Sequence, residues 1–248
     1  MLDPADQILL RQRPEGRAVM RQSWRDLLFL HFPCDPEEVQ RLLPSGLEVD
    51  TFPDENGIER AWIGLVPFLM TNVRWSFAPA VPGTHTFPET NVRTYVRHRG
   101  KNPGVWFFSL DATNPLAVAT ARMAFSLPYF RSAMSISREG QNLWYQGQRT
   151  GGSYEIGLQI GDDTETPGPG SLEFFLIERY LLYAFRRGTL WSGRVFHAPY
   201  GLRRALVTQI SETLVASAGL RSQPFTHVVF SPGVDVEVFS IRKIFDPS

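Results

Sequence analysis

The sequence predicts a single, mainly antiparallel α+β domain of barrel-like type, on three observations. About ten short runs carry strand patterning, and only two or three segments carry helical patterning. The two kinds do not alternate, which argues against a doubly wound parallel sheet. The densest strand signal is a hairpin formed by Phe87-Pro-Glu-Thr-Asn-Val-Arg-Thr-Tyr-Val-Arg97 and Gly104-Val-Trp-Phe-Phe-Ser-Leu-Asp111. A strand turns successive side chains to opposite faces. One face of the first run is therefore Glu89, Asn91, Arg93, Tyr95 and Arg97, and the other is Thr90, Val92, Thr94 and Val96. An acid, an amide, a guanidinium and a phenol stand in a row beside an apolar partner strand. On the residues alone this row is an exposed face, an internal Glu–Arg pair filling a narrow barrel, or the wall of a cavity.

The chain of 248 residues is 43% hydrophobic and 20% charged, enough apolar material for a packed core and too little charge for disorder. The net charge is zero, so there is no basic field to hold nucleic acid or an anionic membrane. Cys34 is the one cysteine, which excludes an intrachain disulfide and fits a reducing compartment. The N-terminus has no apolar signal core, and no uncharged apolar run reaches the roughly 18 residues of a membrane span. A cytoplasmic location is expected. Of 25 basic residues only Lys101 and Lys243 are lysine, leaving 23 arginines, so amine chemistry has two candidates. The aromatic content of 12% is compatible with an apolar patch and a homodimer, though no residue pattern marks one.

Taken in order, residues 1–22 are polar and are expected as a loose arm with at most a short helix, and 23–248 as the barrel domain. Trp24 to Phe32 is a strand ended by Pro33. Asp35 caps a short helix to Leu43, with Pro36 in its first position and Glu37 and Glu38 where the helix dipole favours them. Leu47 to Phe52 is a short strand, and Arg60 to Trp75 a long apolar one with a bend expected at Pro67. Phe77 to Pro88, with His85, is a loop at what would be the rim of a cavity. Beyond the central hairpin an alanine-rich helix is expected from Pro115 to about Phe125. Tyr129 to Arg138, Gln141 to Arg149 and Gly152 to Ile160 form a meander. Ser171 caps a second clear helix reaching Phe185. Leu190 to Ala198 and Leu202 to Ile210 are strands, and Thr213 to Ala218 one or two helical turns. Thr226 to Ser231 and Val234 to Ile241 close the chain as a hairpin around Pro232-Gly233.

Most familiar catalytic motifs are absent. There is no phosphate loop, no dinucleotide-binding glycine pattern and no nucleophile elbow. The histidines His31, His85, His98, His197 and His227 lack metal-ligand spacing, so neither metal nor cofactor is expected. His31 reads as a satisfied core histidine. Cys34 has no neighbouring base and is a poor nucleophile candidate. Glu178 and Arg179 read as structural, and Arg122 as a surface or ion-pairing residue.

Several segments carry a family resemblance: Leu28-Phe-Leu-His-Phe-Pro33, Leu43-Pro-Ser-Gly-Leu-Glu48, Glu89-Thr-Asn-Val-Arg-Thr-Tyr-Val96, Phe107-Phe-Ser-Leu-Asp-Ala112, Leu127-Pro-Tyr129, Glu178-Arg-Tyr180 and Ser231-Pro-Gly-Val-Asp-Val236. Together they resemble the bacterial YqjF-like family, domain of unknown function 2071. That family is in turn similar, more distantly, to acetoacetate decarboxylase. The resemblance implies a cone-shaped antiparallel β-barrel with a few helices packed outside and a buried cavity. It matches Glu89 to an active-site glutamate, and it sets Tyr129 where the enzyme has its Schiff-base lysine. A phenol cannot form an imine, and neither Lys101 in its turn nor Lys243 near the C-terminus replaces the amine.

The residues expected at a ligand site are Glu89, Asn91, Arg93, Ser109, Asp111 and Tyr129. Arg93 can fork onto a carboxylate, Glu89 can handle a proton, Ser109 can donate a hydrogen bond, and Tyr129 can act as a phenol acid or simply fill space. Asp111 either points into the pocket or caps the following turn. Two functions follow. One is a binding barrel for a small carboxylate or oxo acid that lacks the Schiff-base lysine. The other is a lysine-independent lyase or hydratase with Glu89 and Tyr129 as acid and base. A filled interior would sink both.

Overall fold

The computed structural model describes residues 4–78, 85–114, 127–221 and 223–244. The helix expected over 115–125, with Arg122 on it, lies outside them. Four short helices are present among the described residues: α1 (Pro4–Leu10), α2 (Pro36–Gln40), α3 (Leu172–Ile177) and α4 (Leu214–Ser217). None is long and apolar enough to cross a membrane. The rest is strand: β1 (Met20–Cys34), β2 (Glu48–Val49), β3 (Phe52–Pro53), β4 (Glu59–Trp75), β5 (Phe87–His98), β6 (Lys101–Ala112), β7 (Tyr129–Arg131), β8 (Ala133–Glu139), β9 (Asn142–Arg149), β10 (Gly152–Asp163), β11 (Leu181–Arg186), β12 (Thr189–Phe196), β13 (Arg203–Glu212), β14 (His227–Val238) and β15 (Arg242–Lys243).

Pairing is antiparallel except where β6 meets β11 and β7. The order β12-β11-β6-β5-β4-β1-β14 returns to β12 through Val195↔Val238 and Phe196↔Glu237, so these seven strands wrap around one interior. From β14 the ladder continues through β13, β10 and β9 to β8 and folds over the outside of the ring. Two apolar cores result. Phe29, Phe68, Leu110 and Val236 pack inside the ring. Leu28, Leu30, Ile63 and Leu65 face outward against Tyr145, Ile156 and Leu158 of the covering strands.

The inward face is maintained by bulges. Along β1 the cavity-facing residues are Met20, Gln22 and Trp24, then Leu27 and Phe29. The change of parity falls at Asp26, whose φ is +49° and where the β1–β4 register slips. On β4 the inward residues change from Val66, Phe68 and Met70 to Val73 at Asn72, φ +55°. On β6 the extra residue Phe108 separates Phe107 from Leu110, both inward. Asp and Asn are the non-glycine residues that tolerate the left-handed region best. Each bulge inserts one residue and so restores the apolar set to the interior.

Three expectations are corrected. The helix begun at Ser171, whose Oγ accepts from the Phe174 amide at 3.2 Å, stops at Ile177. The expected second half, through Phe185, is instead the strand β11. It is held by antiparallel pairing to β12 across the Arg187-Gly188 turn, both residues at positive φ, and by parallel pairing to β6. Tertiary pairing of Leu181, Leu182 and Tyr183 outweighs helix propensity. Instead of a terminal hairpin around Pro232-Gly233 there is one continuous strand, β14, paired with β1 in a single register on both sides of Asp26. A Cβ on Gly233 would sit 2.2 Å from the Trp24 carbonyl oxygen, so glycine there permits close strand approach rather than reversal. The N-terminal arm is tied down in part. The Gln7 amide donates to the carbonyls of Phe174 at 2.8 Å and Glu178 at 2.7 Å, satisfying acceptors at the end of α3. Arg11 pairs with Glu178 at 3.2 Å, and β1 already begins at Met20.

Candidate functional site

The interior of the ring holds a cavity of about 260 Å³ that is open on one side. Its walls are mostly apolar, with Trp24, Phe29, Phe68, Phe87, Phe107 and Leu110 among them. The longest polar stretch is the inward row of β5, Glu89, Asn91 and Arg93, which no bulge interrupts; Gln22, Arg74, Asn114, Tyr129 and Arg179 add polar groups from other segments. Each residue of that row stands opposite an apolar partner on the next strand: Glu89 opposite Ala112, Asn91 opposite Leu110, Arg93 opposite Phe107.

Tyr129 reaches the same interior by a different route. Parallel pairing of β7 with β6 sets Tyr129 opposite Leu110, one strand removed from β5. Its hydroxyl donates to Glu89 Oε2 at 3.0 Å. Glu89 is 3% exposed. Burial is the main cause that pushes its carboxyl up to about 8; the Tyr129 bond opposes this, and the Asp111 charge adds to it. The Tyr129 phenol is held well above its usual range, by burial first and then by Glu89. At neutral pH Glu89 is therefore mostly a neutral carboxylic acid. Its carbonyl oxygen accepts from Tyr129, and its own O–H is a donor with a proton to give.

Arg93 lies further along the strand. Its guanidinium carbon sits 5.6 Å from the Phe29 ring centre and 5.7 Å from that of Tyr95, and Nη2 donates to the Leu176 carbonyl at 3.4 Å. Arg93 Nε is buried without a hydrogen-bond partner, as is Asn91 Oδ1. Among the described residues no carboxylate lies within salt-bridge distance of Arg93. Glu89 and Arg93 do not pair, so the row is not an ion pair plugging the barrel. Gly64 stands directly across from Arg93 on β4; a Cβ there would lie 3.3 Å from Arg93 Cγ and 3.2 Å from Tyr95 Oη. The missing side chain is what leaves room for the arginine.

Ser109 and Asp111 are not brought to this cavity. The β5–β6 register places them opposite Val92 and Thr90, on the outward face. Asp111 there accepts from Arg149 Nε at 2.8 Å. In their stead the structure adds Arg179, which sequence reasoning treated as structural. Arg179 Nη1 bonds Asp50 at 2.8 Å and Nε bonds the Phe175 carbonyl at 2.7 Å, while the side chain also lines the cavity. Its sequence signal is the charged pair Glu178-Arg179 inside the otherwise apolar run 174–185.

Beside Arg93, His31 accepts or donates at both nitrogens, to Tyr95 Oη at 2.8 Å and His227 Nδ1 at 2.9 Å. Burial holds its imidazole well below the usual range and therefore neutral. It is a satisfied core histidine. The Cys34 thiol is buried and pushed up to about 12, which removes it as a nucleophile. Both lysines of the chain are exposed, on β6 and β15, and neither lines the cavity.

The comparisons agree with this architecture. Residues 21–235 match the family model DUF2071, an uncharacterized conserved protein, and the chain belongs to that family. It is 37% identical over 236 residues to the uncharacterized protein YqjF of Bacillus subtilis (strain 168), covering 93% of this chain and 94% of that one. Among solved structures it is similar to an acetoacetate decarboxylase from Legionella pneumophila, with TM-score 0.65 at 13% identity over 99% of this chain and 97% of that chain. An acetoacetate decarboxylase-like enzyme from Sphingomonas wittichii RW1 gives TM-score 0.64 at 15% identity over 92% and 94%. At such identities the likeness is one of fold.

Proposed function

We propose that this member of the DUF2071 family is a binding barrel for a small carboxylic or oxo acid, without Schiff-base chemistry. The observation that carries the reading is Arg93: a cation without a carboxylate partner among the described residues, in the wall of a largely apolar cavity. Arg93 is half-buried with its Nε shielded and unsatisfied, and a bound carboxylate would compensate both the charge and that N–H. The phenol–acid pair at Glu89 supplies a second polar pole suited to a carbonyl or hydroxyl oxygen. The lack of a primary amine among the described residues of the cavity wall supports a route without an imine.

Thermal unfolding against a panel of carboxylic and oxo acids tests this. A ligand at 100 times its Kd stabilises by about 2.7 kcal/mol, a midpoint rise of several degrees for a chain of this size. The rise should appear in wild type and vanish in Arg93→Gln. No rise with any acid would overturn the reading.

One observation favours a second reading as an acid–base lyase or hydratase. A carboxyl titrating near 8 and bonded to a buried phenol is poised to give and regain a proton near neutral pH. Such an enzyme would lose activity as pH rises through 8 and lose it throughout in Glu89→Gln. A ligand that binds and is returned unchanged at every pH would leave the binding reading alone.

A further inference from the structure

The cavity's two polar poles are separated, and its volume sets a size. Glu89 and Arg93 lie four residues apart on one strand, about 14 Å between α-carbons at ~3.4 Å per residue. Along β5 only Asn91 stands between them, adding one hydrogen-bonding group at mid-length; most of the remaining wall is aromatic and aliphatic, with Gln22, Arg74, Asn114 and Arg179 as its other polar residues. An apolar protein cavity of about 150 Å³ takes one benzene, so the 260 Å³ present has room for on the order of ten non-hydrogen atoms. A three- or four-carbon keto acid held at Arg93 would leave most of the aromatic wall and the whole Glu89–Tyr129 pole untouched.

We propose that the ligand is an elongated hydrophobic carboxylic acid, its carboxylate on Arg93, its aromatic or alkyl body along Phe29, Phe68 and Leu110, and a hydroxyl or carbonyl oxygen at the far end against Glu89 and Tyr129. This rests on the binding reading above and narrows it to a class. The polar ends dictate the orientation. The cation takes the anion, and the neutral carboxylic acid, which would be forced to stay protonated beside an anion, takes the uncharged oxygen. The apolar middle contributes most of the affinity, at about 25 cal/mol for each Å² removed from water.

The test is calorimetric titration of the full chain at pH 6.5 with four probes: para-hydroxyphenylacetate, phenylacetate, para-hydroxyphenylacetamide and acetoacetate. The proposal expects para-hydroxyphenylacetate to bind tightest, with phenylacetate about tenfold weaker and the amide at least a hundredfold weaker. In Glu89→Leu, which keeps the volume and removes the polar pole, the tenfold preference for the phenol should disappear. In Arg93→Gln the preference for acid over amide should disappear. Equal binding of para-hydroxyphenylacetate and phenylacetate by wild type overturns the far-end oxygen. Arg93-dependent binding of acetoacetate with no binding of the aryl acids overturns the size class while leaving a carboxylate pocket standing. Equal binding of acid and amide, or no binding of any probe, overturns the carboxylate pocket itself. The acid–amide comparison in wild type stands even if the Arg93 variant does not fold.

Discussion

Tyr129 and Glu89, forty residues apart in the chain, meet at 3.0 Å inside the ring, the phenol donating to a carboxyl that is almost completely shielded from water. Their contact makes a polar pole at one end of an apolar cavity whose other pole is Arg93. The pH dependence of stability is the first consequence. In the unfolded chain Glu89 titrates near 4.5, and in the folded state near 8. The folded state therefore holds a proton that the unfolded state releases. Its full contribution is present below pH 4.5 and is lost progressively up to pH 8. Urea unfolding at pH 5 and pH 8 should show wild type losing on the order of a few kcal/mol more than Glu89→Gln over that interval. Identical pH slopes for the two proteins would mean that Glu89 titrates normally.

Removing the phenol should move the acid in a defined direction. Tyr129 lowers the Glu89 pKa by hydrogen bonding to it, so Tyr129→Phe raises that pKa above 8. The carboxyl stretch in the infrared reports the protonated form directly, and its titration should shift to higher pH. The accompanying stability loss is about 1 kcal/mol, the net worth of one hydrogen bond.

Gly64→Ala is expected to weaken acid binding without touching any polar group. The added Cβ would stand 3.3 Å from Arg93 Cγ and 3.2 Å from Tyr95 Oη, so Arg93 must shift. A fold stability reduced by about 1–3 kcal/mol, the usual range for overpacking, should accompany a severalfold loss of affinity for carboxylates. Unchanged affinity would show that Arg93 is free to move without consequence.

Asp50→Ala should be far more damaging than its position in a short connecting segment suggests. Asp50 and Arg179 are each 1% exposed at the side chain and lie 2.8 Å apart. Loss of the acid strands a buried guanidinium at a cost of about 3–5 kcal/mol. Denaturant unfolding measures this. The double variant Asp50→Ala with Arg179→Met should recover a large part of the loss.

What the sequence discloses of this architecture follows from where its strands are regular. The inward face of β5 is legible because Phe87, Glu89, Asn91 and Arg93 alternate without interruption. The same alternation misleads on β1, β4 and β6, where bulges at Asp26, Asn72 and Phe108 exchange the faces. Ser109 and Asp111 are candidates for the ligand site on sequence, Asp111 with a turn cap as its alternative, yet the pairing register places them opposite Val92 and Thr90, facing outward. A register is a property of two strands and is not written in either one. The run 171–185 has helical composition throughout, but its second half gains more by pairing with β12 and β6 than by continuing the helix. Arg179 enters the cavity wall through that same change of course. The sequence places Tyr129 only by alignment with an enzyme's lysine position; its contact with Glu89 comes from β7 adding to β6 in parallel.

The most direct test of the carboxylate pocket is a crystal structure of the chain grown with para-hydroxyphenylacetate. The account predicts the acid inside the ring, its carboxylate within about 3 Å of the Arg93 guanidinium and its phenol oxygen at hydrogen-bond distance from Glu89. A carboxylate turned toward Glu89, or a ligand seated only outside the ring, would contradict it.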